Sequence, residues 1–216
     1  MRTSLAILLI ILIGPNLLLA QHKNGYLKYH VDVVVADTTR ETMQASRMLR
    51  NSKVEIYVLK NKYRIDTKMG TLFQNSMRHD EKKEETLILT TSEQGKFAQK
   101  YVNQKLSGSS TKNENIVVNE YRDSTRKILG FKCFYVQLIS NGNTSNYWCS
   151  EEIDFIFEGD SFVDPSLPAF PLMIQKHQGG FQFTYTASNF RKKIDSPKEV
   201  FTTEVPDGYT LKPNNR

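Results

Sequence analysis

Side chains alternate from Tyr26 onward, with Tyr29, Val31, Val33 and Val35 on one side of the chain and Lys28, His30 and Asp32 on the other. A period of two marks a half-buried strand, predicted here over 26–37. The pattern then changes. Thr38-Thr39-Arg40-Glu41 has capping-box spacing and 42–50 is rich in helix-compatible residues, so a short helix is predicted, with Met43, Ala45, Met48 and Leu49 as its apolar side and Asn51-Ser52 as its stop. Strands follow over 54–60, 62–68, 71–77, 85–91 and, past the Glu93-Gln94-Gly95 turn, 96–102. Asn61 and Gly70 punctuate them.

The stretch 107–115 is small and polar and reads as a surface loop within one sheet. Strands over 116–121, 131–139, 146–153, 153–158, 180–187 and 199–204 bring the count to about twelve, with no repeat and no strand–helix–strand rhythm. Such spacing predicts a meandering antiparallel sheet, and at this length it must curl into a barrel or pack against something. Pro165, Pro168 and Pro171 recur through 164–173, favouring extended polyproline-like backbone over helix or central strand. That segment reads as a rigid connection packing Leu167, Phe170 and Leu172 on the sheet; the alternative is an SH3-type ligand.

Ser140-Asn141-Gly142-Asn143 separates two apolar runs and predicts a hairpin. A turn centred on Asn141 pairs Cys133 with Cys149, Phe134 with Trp148 and Tyr135 with Tyr147. Directly opposed cysteines come within disulfide range, so a Cys133–Cys149 bridge is the favoured reading and two buried thiols the alternative.

A disulfide needs an oxidising compartment, and the N-terminus supplies a reason to expect one. Arg2 precedes an unbroken apolar run over 5–13, and 17–20 gives way to polar sequence at Gln21. This is the outline of a signal peptide covering 1–20, cleaved near Ala20 and leaving 21–216 as one domain. Gly14, Pro15 and Asn16 interrupt the run, which is shorter than a bilayer span. The mature chain is expected to be soluble and periplasmic or otherwise secreted. Its net charge, +6 for the whole chain, is spread along the sequence, which argues for solubility and against a nucleic-acid face, leaving peripheral membrane contact at most.

Recognisable catalytic chemistry is lacking. His22, His30, His79 and His177 stand in no metal spacing or nucleophile motif, and there is no GxSxG, HExxH or glycine-rich phosphate loop. His79 with Asp80, Glu81, Glu84 and Glu85 is the most polar cluster, but Arg78, Lys82 and Lys83 are interspersed as in a solvated loop. No metal, cofactor or enzymatic activity is expected, a hydrolase with a scattered site being the remote alternative. Asn143-Thr144-Ser145 matches the glycosylation pattern within a turn where such residues are expected anyway.

Four stretches, taken in order, carry a resemblance: 43–66, ending Lys62-Tyr63-Arg64-Ile65-Asp66; Lys127-Ile128-Leu129-Gly130-Phe131-Lys132-Cys133; Tyr147-Trp148-Cys149; and 201–211 with Val205-Pro206-Asp207-Gly208-Tyr209. They are similar to the LolA-like periplasmic carriers and, more closely, to an exported Bacteroidetes-type family of unknown function in that superfamily. The resemblance implies a mainly β (α+β) fold: a strongly curved antiparallel sheet forming an open half-barrel, with one or two short helices or loops over its concave face. It also implies a monomeric binding protein holding a lipid, a lipoprotein acyl chain or another apolar ligand in that hollow, with an envelope protein as a further candidate partner. Met43 and Met48 on the covering helix, and Phe134, Val136, Leu138 and Trp148 on one face of the hairpin, would line it. The rival is a closed structural or interaction domain that offers an edge strand or the Pro-rich segment. The disulfide, the charged loop around Glu81 and the Pro-rich segment depart from the carrier pattern.

Overall fold

The computed structural model describes residues 21–35, 39–103, 115–155 and 162–213; the predicted export segment and nearly all of the 107–115 loop lie outside them. Alternating apolar positions build one sheet in two meanders. The first comprises β1 (Gly25–Val35), β2 (Ser52–Leu59), β3 (Lys62–Met69), β4 (Phe73–Asp80), β5 (Glu85–Ser92) and β6 (Gly95–Val102). The second comprises β7 (Ile116–Ile128), β8 (Phe131–Ser140), β9 (Asn143–Ser150), β10 (Phe170–Gln178) and β11 (Phe181–Arg191). Pairing of β1 with β11 joins them, and β12 (Thr210–Leu211) adds a parallel strand to β6, giving the order β12-β6-β5-β4-β3-β2-β1-β11-β10-β9-β8-β7.

Chain length forces this sheet to curl. β6 and β7 run in the same direction near opposite ends of the order. In a flat sheet the end of β6 would lie roughly 55 Å from the start of β7, whereas the chain from Val102 to Ile116 reaches at most about 50 Å. No ladder joins β7 to β6 or β12 among the described residues, so the sheet is curved and unclosed. The fold is the mainly β, open antiparallel class that the sequence predicts.

The inward residues of both meanders share one core, in which Leu27, Tyr29, Val54 and Ile56 meet Val136, Leu172, Ile174 and Tyr185. One end of the curved sheet is crossed by α1 (Arg40–Met48). Its N-terminal turn approaches the β10–β11 turn, Thr42 lying beside Gly180, and its C-terminal end lands on the β3–β4 turn, where the Thr71 N–H donates to the Met48 carbonyl at 2.9 Å. The following residue, Leu49, enters the core. Aromatic rings fill the other end: Phe131 and Phe190 lie 5.1 Å apart, Phe155 and Phe170 5.3 Å, with the His22 ring 5.3 Å from Phe190.

Outside, the C-terminal segment 194–212 forms a strap along one register row, Tyr26–Tyr57–Arg64–Arg78–Leu87. Ile194 and Phe201 pack on Tyr26, and Val205 and Tyr209 on Leu87, Leu89 and Ala98. Between them Arg64 donates to the Val200 carbonyl at 3.4 Å and Arg78 to that of Thr202 at 3.2 Å. The Thr203 hydroxyl donates to Glu85, whose carboxylate also meets Lys100 at 3.1 Å.

These contacts make stability depend on pH. The Thr203 hydrogen bond, with Lys100 and against burial, holds the Glu85 carboxyl below its ordinary value. Burial pulls the Asp80 carboxyl up, but the Lys62 ammonium at 2.6 Å and Lys83 outweigh it and leave it lowered too. Carboxyls depressed in the folded state contribute stability that is complete above the unfolded value near about 4 and is lost as pH falls through the folded value. Urea midpoints are therefore expected to stay level from about pH 7 to pH 5 and to drop below about pH 4, with a smaller drop in Asp80→Asn.

Several predicted elements are corrected. The capping box is Thr39 with Thr42, one residue later than expected: the Thr42 N–H donates to the Thr39 hydroxyl at 3.2 Å, and the Thr39 N–H to Thr42 Oγ1 at 3.0 Å. Glu41 sits instead in the first turn, where its charge suits the helix dipole. The described part of 153–158 holds only an isolated bridge, His22 to Ile153. In place of a strand over 199–204 stands α2 (Pro197–Val200), started by a proline preset for helix, followed by irregular strap. Most unexpectedly, the Pro-rich segment runs into β10, an interior strand. Pro171 is tolerated because the register shifts between Pro171 and Met173, and its carbonyl accepts the Tyr29 hydroxyl at 2.6 Å.

The hairpin register also differs. Asn141 and Gly142 have φ of 52° and 78°, the two-residue turn with positive φ at both central positions that suits the strand twist. This places Phe134 opposite Cys149, Tyr135 opposite Trp148 and Val136 opposite Tyr147. Cys133 and Cys149 are not directly opposed, and both are free, buried thiols. Trp148 therefore lies on the opposite face from Phe134, Val136 and Leu138.

Candidate functional site

Strand register carries one apolar row across the inner face of the first meander: Leu27, Ile56, Ile65, Met77 and Ile88, each directly opposite the next. Its burial falls along the row. Leu27 and Ile56 are 0% exposed and Ile65 4%, but Met77 and Ile88 are only half-buried. Phe73, on the same face of β4, is 41% exposed. The row thus stays apolar as far as Ile88, beyond the point where the core covers it, and ends at Gln99 on β6. Beside the row, the His79 ring stacks on Tyr63 at 4.9 Å, with its Nδ1 2.9 Å from the Thr86 hydroxyl, giving this lining a polar border.

The sequence-predicted lining residues scatter. Phe134, Val136 and Leu138 do share the inner face, but as buried core beside Tyr147. Trp148 is turned to the outer face, where it meets Tyr135 at 5.4 Å. Met43 stands 46% exposed on α1, and Met48 is half-buried, its carbonyl bound by the β3–β4 turn. Met77, Ile88 and Phe73 were not singled out. Alternation over 71–77 and 85–91 marked one face of each strand, but their alignment into one row needed the cross-strand register.

Chemically, the wall opposite is quiet. Burial pushes the Cys133 thiol up to about 11, and burial with the neighbouring Cys133 raises Cys149 further, so both are protonated at neutral pH. Burial likewise raises the Tyr29 phenol, which stays neutral. At the β7 edge the Arg122 guanidinium lies 4.5 Å over the Phe134 ring and bonds Glu120 and Glu151, each at 2.7 Å. Among the described residues, no group of three or more His, Cys, Asp or Glu side chains is placed to hold a metal ion, and no helix is long and apolar enough to cross a membrane.

No protein-family model and no curated protein matches the sequence. The solved structures with which the chain aligns include the following. PNGF-II aligns at a TM-score of 0.45 and 11% identity over 87% of this chain, which spans 30% of the PNGF-II chain. The lipoprotein LppX of Mycobacterium tuberculosis aligns at 0.36 and 8% identity, over 80% of this chain and 89% of its own. A LolA superfamily protein from Nitrosomonas europaea aligns at 0.23 and 8% identity, over 84% of this chain and 90% of its own.

Proposed function

We propose that the inner face of β3 to β5 holds an apolar ligand, a lipid or the acyl chain of a lipoprotein, and that the chain is a non-enzymatic, LolA-like binding protein of the cell envelope. It would act as a single soluble domain, 21–216, after removal of 1–20. The observation that carries this reading is the apolar row whose burial gives out at Met77 and Ile88. Half-buried methylenes there gain about 0.8 kcal/mol for each ligand CH₂ laid against them, with no polar motif required. Protonated thiols and a neutral tyrosine on the shared core leave that interior without an uncompensated charge.

The test is native mass spectrometry of protein purified from its own envelope, with lipid analysis of the organic extract. A stoichiometric lipid or acylated peptide is expected. Ile88→Glu is expected to weaken binding of a fluorescent fatty acid by tenfold or more, roughly 1.4 kcal/mol, with a smaller change in unfolding than at a fully buried position because Ile88 is only partly buried. An empty protein that also refuses added fatty acids and lipopeptides would instead support the closed interaction domain.

A further inference from the structure

The outer faces of the two meanders differ in chemistry. On β1 to β3 the outward rows are charged, as in Lys28–Glu55–Asp66 and His30–Lys53–Lys68, and the strap crosses β1 to β6. On β7 to β10 two uncharged rows run side by side. One is Tyr121, Tyr135, Trp148 and Met173, successively opposed across the four strands. The other is Asn119, Gln137, Asn146 and Gln175.

The aromatic row is continuous: Tyr121 and Tyr135 lie 5.3 Å apart and Tyr135 and Trp148 5.4 Å, tilted by 36° and 52°. Tyr121 is 46% exposed and the others half-buried. The amide row is coupled to it, because the Tyr135 hydroxyl donates to Asn146 Oδ1 at 2.8 Å and Asn146 Nδ2 donates to Gln175 Oε1 at 3.5 Å. Arg126 borders the platform, its guanidinium 5.0 Å over the Trp148 ring and 3.6 Å from Met173 Sδ.

Solubility alone does not call for this pattern, since charged residues serve that purpose on the other half of the same face. Each amide offers donors and an acceptor in fixed geometry, and each ring offers an apolar π-face. A partner matching both rows needs C–H faces and many hydroxyls. It also needs little charge, because neither row contains a carboxylate or an ammonium. Neutral sugar chains have that chemistry. We propose that the outer face of β7 to β10 is a binding site for a neutral oligosaccharide, stacked on Tyr121 and Tyr135 beside the Arg126-covered Trp148 ring and hydrogen-bonded by the amide row. It lies on the opposite side of the sheet from the apolar row and does not depend on it.

The chain has a single tryptophan, so intrinsic emission reports on this face. The purified chain would be titrated with neutral hexasaccharides of β-linked glucose, xylose, mannose and N-acetylglucosamine. A saturable change in Trp148 emission with at least one is expected. Tyr121→Ala and Gln137→Ala should each weaken that affinity roughly tenfold without moving the unfolding temperature, and Ile88→Glu should leave it intact. No saturable change with any sugar overturns the proposal, as does unaltered affinity in both outer-face variants. An emission change that follows protein concentration rather than sugar would assign the face to a second copy and equally overturn it.

Discussion

Phe201→Ala is expected to lower the free energy of unfolding by about 3 to 5 kcal/mol, a large part of the roughly 5 to 15 available to such a domain. Phe201 is 4% exposed and anchors the strap beside Ile194 on Tyr26. Removing the ring leaves a cavity between strap and sheet, and it loosens the neighbouring carbonyls of Val200 and Thr202 that accept from Arg64 and Arg78. The cost is therefore more than transfer of one side chain. Urea unfolding followed by far-ultraviolet dichroism measures it. A loss below about 1 kcal/mol would mean that the strap is held elsewhere, with Leu87 and Leu89 kept dry without Phe201.

Gly70→Ala should be comparably damaging for a backbone reason. Gly70 sits at φ +54°, and a Cβ there would fall 1.7 Å from the Met48 carbonyl oxygen and 2.8 Å from the Leu49 Cα. Neither atom can move without shifting the end of α1. The helix must lift from the β3–β4 turn, breaking the Thr71 to Met48 hydrogen bond and withdrawing Leu49 from the core. A loss of about 3 kcal/mol or more is expected, with faster amide exchange across α1. Gly142→Ala is the control. Its φ is also positive, at +78°, but nothing lies within 4 Å of an added Cβ, so only the strain of that backbone region, about 1 to 2 kcal/mol, should appear. Equal losses in both variants would refute the clash.

The strands themselves were legible where one face is buried and the other wet. β1, β2, β3, β5 and β6 lie within a few residues of their predicted limits, because alternation of Val, Ile and Tyr with Lys, Asp and Glu imposes the period. Errors gathered where burial follows a different logic. Residues 199–204 are predicted as a strand, yet Phe201 and Thr203 are buried by lying on a sheet rather than by pairing within one. β10 was hidden by Pro171 and the prolines that precede the strand, since a bulge that accommodates Pro171 cannot be seen without the partner strand. One residue of register at Asn141-Gly142 was enough to move Trp148 to the other face and to take Cys133 out of opposition with Cys149.

By itself the sequence determined the class of the protein: a mainly β chain, one helix between the first two strands, hairpins at Asn-Gly and similar turns, and no clustered catalytic motif. Those features are local, set by side-chain period and by the backbone freedom of a few turn residues. Tertiary structure alone decided the strap on the outside of the sheet, the row from Leu27 to Ile88 and the aromatic and amide rows on β7 to β10. Each depends on which residues of separate strands stand opposite one another, and cross-strand register is a long-range property that local periodicity leaves undetermined.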